Sequence, residues 1–97
     1  MLAYRTLPKG DARRYLLALL AVDKLKARAT IHRVGLEIEC TRAEAQRALE
    51  ATVTQFGVVF ERTGSAYRIA SWGVLNKAEL VRMFIAINNE KPIDCIV

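Results

Sequence analysis

Thr30-Ile31-His32-Arg33-Val34-Gly35-Leu36-Glu37-Ile38-Glu39-Cys40-Thr41-Arg42-Ala43-Glu44 is the stretch on which the fold turns. It holds two helix starts in quick succession. Thr30 offers a hydroxyl N-cap to a short helix over Ile31 to Ile38. Thr41 offers a second, and Thr41-Arg42-Ala43-Glu44 is a capping box: Thr41 accepts from the Glu44 N–H while the Glu44 side chain reaches back. Behind it Ala45, Ala48, Leu49, Thr52, Val53 and Phe56 recur at helical spacing. Gly57 follows, a residue type that tolerates the left-handed position at a helix end.

Downstream, Val58-Val59-Phe60-Glu61-Arg62 and Ala66-Tyr67-Arg68-Ile69-Ala70 flank Thr63-Gly64-Ser65. β-branched and aromatic residues around a short glycine-containing turn predict a hairpin. With Gly64-Ser65 as a two-residue turn, Phe60 pairs with Ile69 and Arg62 with Tyr67, and Glu61 opposes Arg68. Trp72 closes the hairpin and is expected to pack back on the helices. Asn76 can cap a last helix to about Asn88, with Leu80, Val81, Phe84 and Ile87 as its apolar stripe. The tail Ile93-Asp94-Cys95-Ile96-Val97 is apolar, suiting a short strand or packing against a partner.

Upstream, Asp11 can cap a helix from Ala12 to about Ala27 or Arg28, with Lys24, Lys26 and Arg28 near its negative end. Its middle, Tyr15 to Val22, is apolar on every side. A surface helix needs only one apolar stripe, so this helix is expected to be covered on two faces. One cover is the domain's own core; the other is either a partner subunit or the C-terminal segment.

The 97 residues suit one domain, and 53% apolar content excludes a disordered tail. The chain divides into an N-terminal arm (1–10), a core with hairpin (11–73), and a C-terminal helix and tail (74–97) suited to dimerisation. Tyr15 to Val22 is too short to span a bilayer, and Met1 to Gly10 lacks the apolar stretch of a signal peptide. The expectation is a soluble, cytoplasmic protein with Cys40 and Cys95 reduced. His32 is the only histidine and has no Cys-x-x-Cys to join it, so no metal site is expected. There is no glycine-rich phosphate loop and no paired carboxylates with a supporting His or Cys. Neither an enzyme, nor a cofactor, nor a small-molecule ligand is expected. Net charge is +5 with pI ≈ 9.6. Residues 1–47 carry ten Lys/Arg against five Asp/Glu, and residues 48–97 five against five. That one-sided surplus is the footprint of a polyanion binder.

Thr30 to Leu49 resembles the helix-turn-helix of winged-helix transcriptional regulators, and the element order over Asp11 to Gly73 is similar to theirs. The matching positions are the cap Thr30, then Ile31, Val34-Gly35, Ile38, Glu39, the small apolar Cys40, and the cap Thr41. Gly35 leaves room where two helices cross, and Cys40 fills the space under the turn as a small hydrophobe. The chain departs from the pattern at Glu39, where glycine or another residue comfortable with positive φ is common. The fold class so implied is α+β, mostly helical: a winged helix-turn-helix with a three-helix core and a β-hairpin wing. A C-terminal helix and a short apolar tail are added to it.

The resemblance also implies a function. The second helix of such a motif lies in the major groove of double-stranded DNA. Carried over, Arg42, Ala43, Gln46 and Arg47 are candidates to meet base edges. Arg suits guanine O6 and N7, Gln suits adenine N6 and N7, and Ala suits the thymine methyl. Glu50 marks where the DNA-facing stretch ends. Arg28, Thr30, His32, Arg33 and Thr41 are phosphate-contact candidates, helix N-termini favouring anions. Arg62, Thr63, Gly64, Ser65 and Arg68 are wing candidates, although Arg68 has a competing role opposite Glu61. The implied protein is a small prokaryotic, phage or plasmid transcriptional regulator acting as a homodimer. The alternative is a winged-helix protein–protein adaptor in a replication, transcription or chromosome-organising complex, since fold alone does not settle function.

Overall fold

Each helix begins where the sequence supplies a side-chain oxygen. In the computed structural model, which describes residues 4–88 and side chains as far as Ile85, α1 spans Ala12–Leu25. It starts after Asp11, whose Oδ1 accepts from the Arg13 N–H at 2.9 Å. α2 (Ile31–Ile38) follows Thr30, whose hydroxyl accepts from the Arg33 N–H at 3.2 Å. α3 (Arg42–Phe56) has the full capping box: the Glu44 N–H donates to Thr41 Oγ1 at 3.1 Å, and the Thr41 N–H to Glu44 Oε1 at 2.9 Å. α4 (Lys77–Asn88) has Asn76 Oδ1 accepting from the Glu79 N–H at 3.1 Å. Such caps satisfy donors with no partner inside the helix and contribute about 1 kcal/mol each.

The hairpin forms in the expected register. β1 (Val59–Thr63) and β2 (Ala66–Ser71) are antiparallel, pairing Phe60 with Ile69, Glu61 with Arg68, Arg62 with Tyr67 and Thr63 with Ala66. At the tip Gly64 takes φ +63° while Ser65 does not turn positive, the sign pattern of a type II′ turn that suits strand twist. Phe60 and Tyr67 meet edge to face with ring centroids 5.5 Å apart. β2 is also engaged on its other side: Thr30 bridges to Ala66, and the Tyr67 N–H donates to the Ala29 carbonyl at 2.8 Å. The chain entering α2 is thereby tied to the hairpin, a pairing that local sequence patterns did not announce. The described residues make an α+β protein, mostly helical, with four α-helices and one two-stranded hairpin.

α1 is buried on two sides. On one, Ala18, Ala21, Val22 and Leu25 pack with Val34 and Ile38 of α2 and Ala45, Ala48 and Leu49 of α3. Alanines on both sides of that contact leave little bulk between the helix axes. On the other, Leu16 packs with Leu80 and Phe84 of α4, flanked by Phe56 and Trp72. Of the two covers left open for α1, the chain's own C-terminal helix is therefore one that is realised. Thr52 is fully buried and its hydroxyl donates to the Leu49 carbonyl at 2.6 Å, which removes the cost of a stranded polar group.

Two expectations need correction. α1 ends at Leu25, and Lys26–Arg28 form a 3-10 turn that opens with Lys26 at φ +53°. The cations there continue no helix, because the chain must reverse to bring Ala29 alongside β2. Val53 and Val81, assigned to apolar stripes, are exposed, since each lies at the flank of its helix rather than over the core. The described part of the N-terminal arm is docked on the helices: Tyr4 and Leu7 are buried, and Arg14 Nε donates to both of their carbonyls at 3.2 and 3.1 Å. The Arg14 guanidinium also stands 4.3 Å from the Tyr4 ring centroid. The apolar tail, Cys95 and the Ile87 side chain lie outside the described residues.

The turn between α2 and α3 explains Gly35 and Glu39 together. A Cβ on Gly35 would stand 2.9 Å from the Cys40 carbonyl oxygen, so the close approach there requires glycine. Glu39 adopts φ 60°, ψ 53°, the left-handed conformation, and its N–H and that of Cys40 both donate to the Gly35 carbonyl. A glutamate thus occupies a left-handed position where glycine is easier, at a backbone cost of about 1–2 kcal/mol.

Candidate nucleic-acid interface

Arg42, Ala43, Gln46, Arg47 and Glu50 all project to solvent from the outer face of α3, because Ala45, Ala48, Leu49 and Thr52 occupy its inner face. Arg28, His32 and Arg33 are exposed around the start of α2. The hydroxyls of Thr30 and Thr41 are engaged as caps, each still holding a proton to donate outward. Gln46 Nε2 donates to Glu50 Oε2 at 3.3 Å, so its amide oxygen is the freer end of the side chain.

The cations differ in their partners. Arg5, Arg13, Lys24, Arg68, Lys77 and Arg82 form ion pairs with Glu44, Asp11, Glu37, Glu61, Asp23 and Glu79 respectively. Among the described residues, no carboxylate lies within ion-pair distance of Arg28, Arg33, Arg42 or Arg47. Exposed pairs contribute little to stability, so the consequence of this sorting is for charge available to a ligand. Arg14 and Arg62 also lack a carboxylate, but they are held by the Tyr4 and Leu7 carbonyls and by Tyr67. That leaves the arginines of the α2 entry and the α3 outer face as those with neither an ion pair nor another side-chain partner among the described residues.

The hairpin offers less. Thr63, Gly64 and Ser65 are exposed at its tip. Arg62 lies over the Tyr67 ring, 4.2 Å from the centroid, and its Nη1 donates to the Tyr67 hydroxyl at 3.2 Å. Arg68 pairs with Glu61 across the strands. Both arginines are thus held on the hairpin by its own residues.

Sequence patterns missed one neighbour of the α3 surface. Arg5 binds Glu44 through two nitrogens, Nη1 to Oε2 at 2.9 Å and Nη2 to Oε1 at 2.7 Å. Glu44 was legible as a cap, but nothing local links it to a residue far back in the chain. The Thr41 N–H, and after it the Arg5 guanidinium, hold the Glu44 carboxyl below the usual carboxylate range. Cys40 is half-buried and its thiol is pushed up by burial, which disfavours the reactive thiolate. Among the described residues no His, Cys, Asp and Glu group is arranged to hold a metal ion, and no helix is long and apolar enough to cross a membrane. No protein-family model, curated protein or solved structure matches the chain.

Proposed function

We propose that the chain binds double-stranded DNA with sequence preference, through a winged helix-turn-helix whose α3 enters the major groove. The observation that carries this reading is the set Arg28, Arg33, Arg42 and Arg47: exposed, without a carboxylate partner among the described residues, and placed in the turn that enters α2, on α2 and on the outer face of α3. Further support comes from the element order and from the hairpin tied to the entry of α2, a layout compatible with winged-helix proteins. In this reading Arg42, Ala43, Gln46 and Arg47 meet base edges, and Arg28, Thr30, His32, Arg33 and Thr41 meet phosphates. Thr63, Gly64 and Ser65 approach the backbone, while Arg62 and Arg68 must first leave Tyr67 and Glu61. The role is that of a small cytoplasmic transcriptional regulator without catalytic activity. Exposed Val81 and Ile85 on α4 suit a homodimer contact.

Selection of bound duplexes from a random pool, followed by titration of the winner across a salt series, tests the reading. Each neutralised phosphate steepens the fall of log K against log salt by about 0.9. Arg33→Ala is expected to weaken all sequences alike and flatten that slope by about one contact. Arg42→Ala and Gln46→Ala are expected to relax preference at single positions, by about 1–3 kcal/mol of discrimination. Absence of any DNA affinity in low salt removes the reading. A protein–protein adaptor is then favoured by Leu36, 62% exposed on the outer side of α2.

A further inference from the structure

Glu44 poses a problem for a polyanion-binding helix. It places a carboxylate in the first turn of α3, one turn before Arg47 and beside the outer face. The acid is wanted there for capping, since it accepts from the Thr41 N–H. Its charge would nonetheless oppose an approaching phosphate. Arg5 meets both of its oxygens, and leaves the Glu44 side chain only 19% exposed while its own remains 54% exposed. Arg5 is held in place in turn, because its neighbour Tyr4 is buried in the main core and Arg14 grips the Tyr4 and Leu7 carbonyls.

We infer that Arg5 is a positioning residue of the α3 surface, which neutralises the capping carboxylate of Glu44 so that the helix keeps its cap without repelling DNA. This rests on the DNA-binding reading of α3. The pair is neutral, so removing either partner changes the local charge in opposite directions while removing both restores it. Arg5 acts through Glu44 and does not itself contact DNA.

The test compares the full chain with Arg5→Ala, Glu44→Gln and the double variant, binding a labelled selected duplex of about two helical turns. Glutamine keeps an oxygen to accept from Thr41, so the cap survives. Thermal melts establish that each variant is folded. In low salt the expected order is Glu44→Gln tightest, wild type and double variant similar, and Arg5→Ala weakest by about 5-fold, with the spread closing as salt rises. Glu79→Gln combined with Arg5→Ala is the control for bulk charge and is expected not to restore binding. The inference is overturned if Glu44→Gln fails to rescue Arg5→Ala, the result a purely structural clasp would give. It is equally overturned if Arg5→Ala flattens the salt slope by about one contact without rescue, which places Arg5 on a phosphate. Wild type that binds DNA while Arg5→Ala binds equally well sinks this inference alone. Wild type that binds no DNA sinks the underlying reading as well.

Discussion

The two Arg5 nitrogens that reach Glu44, at 2.7 and 2.9 Å, join the segment before α1 to the first turn of α3. Glu44 is also the capping residue that accepts from the Thr41 N–H. One side chain therefore closes the helix locally and receives a contact from far along the chain.

Comparing variants of Glu44 and Arg5 separates these two duties. Glu44→Ala loses the side-chain half of the capping box together with the Arg5 pair and is expected to destabilise more than Arg5→Ala, which removes a largely exposed ion pair worth at most about 1 kcal/mol. For a chain of this size each kcal/mol moves the melting midpoint by about 4–8 °C. Equal melting of Glu44→Ala and wild type would show that the Glu44 side chain's half of the capping box contributes nothing.

Acid should destabilise the fold through two carboxyls. The Arg13 side chain, and then its N–H, pull Asp11 down to about 2, and the Thr41 N–H and Arg5 lower Glu44. Both folded values lie below unfolded ones of about 4. Between them the unfolded chain binds more protons, so stability is complete above about pH 5 and declines as pH falls toward 2. Asp11→Asn with Glu44→Gln keeps capping oxygens but removes both titrations. Urea midpoints from pH 5 to 2 should fall less steeply for that variant than for wild type, and parallel curves would refute the assignment.

Two glycines with the same φ should respond differently to alanine. Gly64 and Gly73 both sit at +63°, but a Cβ on Gly64 meets nothing within 4 Å, whereas on Gly73 it would stand 2.0 Å from the Phe56 carbonyl oxygen. Gly64→Ala is expected to cost about 1 kcal/mol of backbone strain. Gly73→Ala adds a backbone overlap that no rotamer relieves, for a total of about 3 kcal/mol or more. Denaturant titrations giving the two variants the same midpoint would contradict this.

Glu39→Gly is expected to stabilise the protein. Relief of the left-handed strain returns about 1–2 kcal/mol, and the greater freedom of glycine in the unfolded chain takes back about 0.4–1 kcal/mol. The net is a gain of about 0.5–1 kcal/mol. A lower urea midpoint for the variant would show that the Glu39 side chain supplies something its exposed position does not suggest.

Local chemistry determined much of this protein by sequence alone. Thr30, Thr41 and Asp11 mark helix starts because a side-chain oxygen satisfies donors within the next three residues. The hairpin register follows from Gly64-Ser65 because a two-residue turn leaves one pairing open. The polar outer face of α3, with Arg42, Gln46 and Arg47, was legible because its period matches the helix. Tertiary structure alone decided which distant groups meet. That Glu44 receives Arg5, that Ala66 bridges to Thr30, and that α4 rather than a partner subunit meets the second face of α1 depend on how the elements stack, and an apolar stripe shows that a face is covered without naming what covers it. The same holds for charge: Lys77 and Arg42 each stand at the start of a helix, and only the fold places Asp23 beside Lys77 and no carboxylate, among the described residues, beside Arg42.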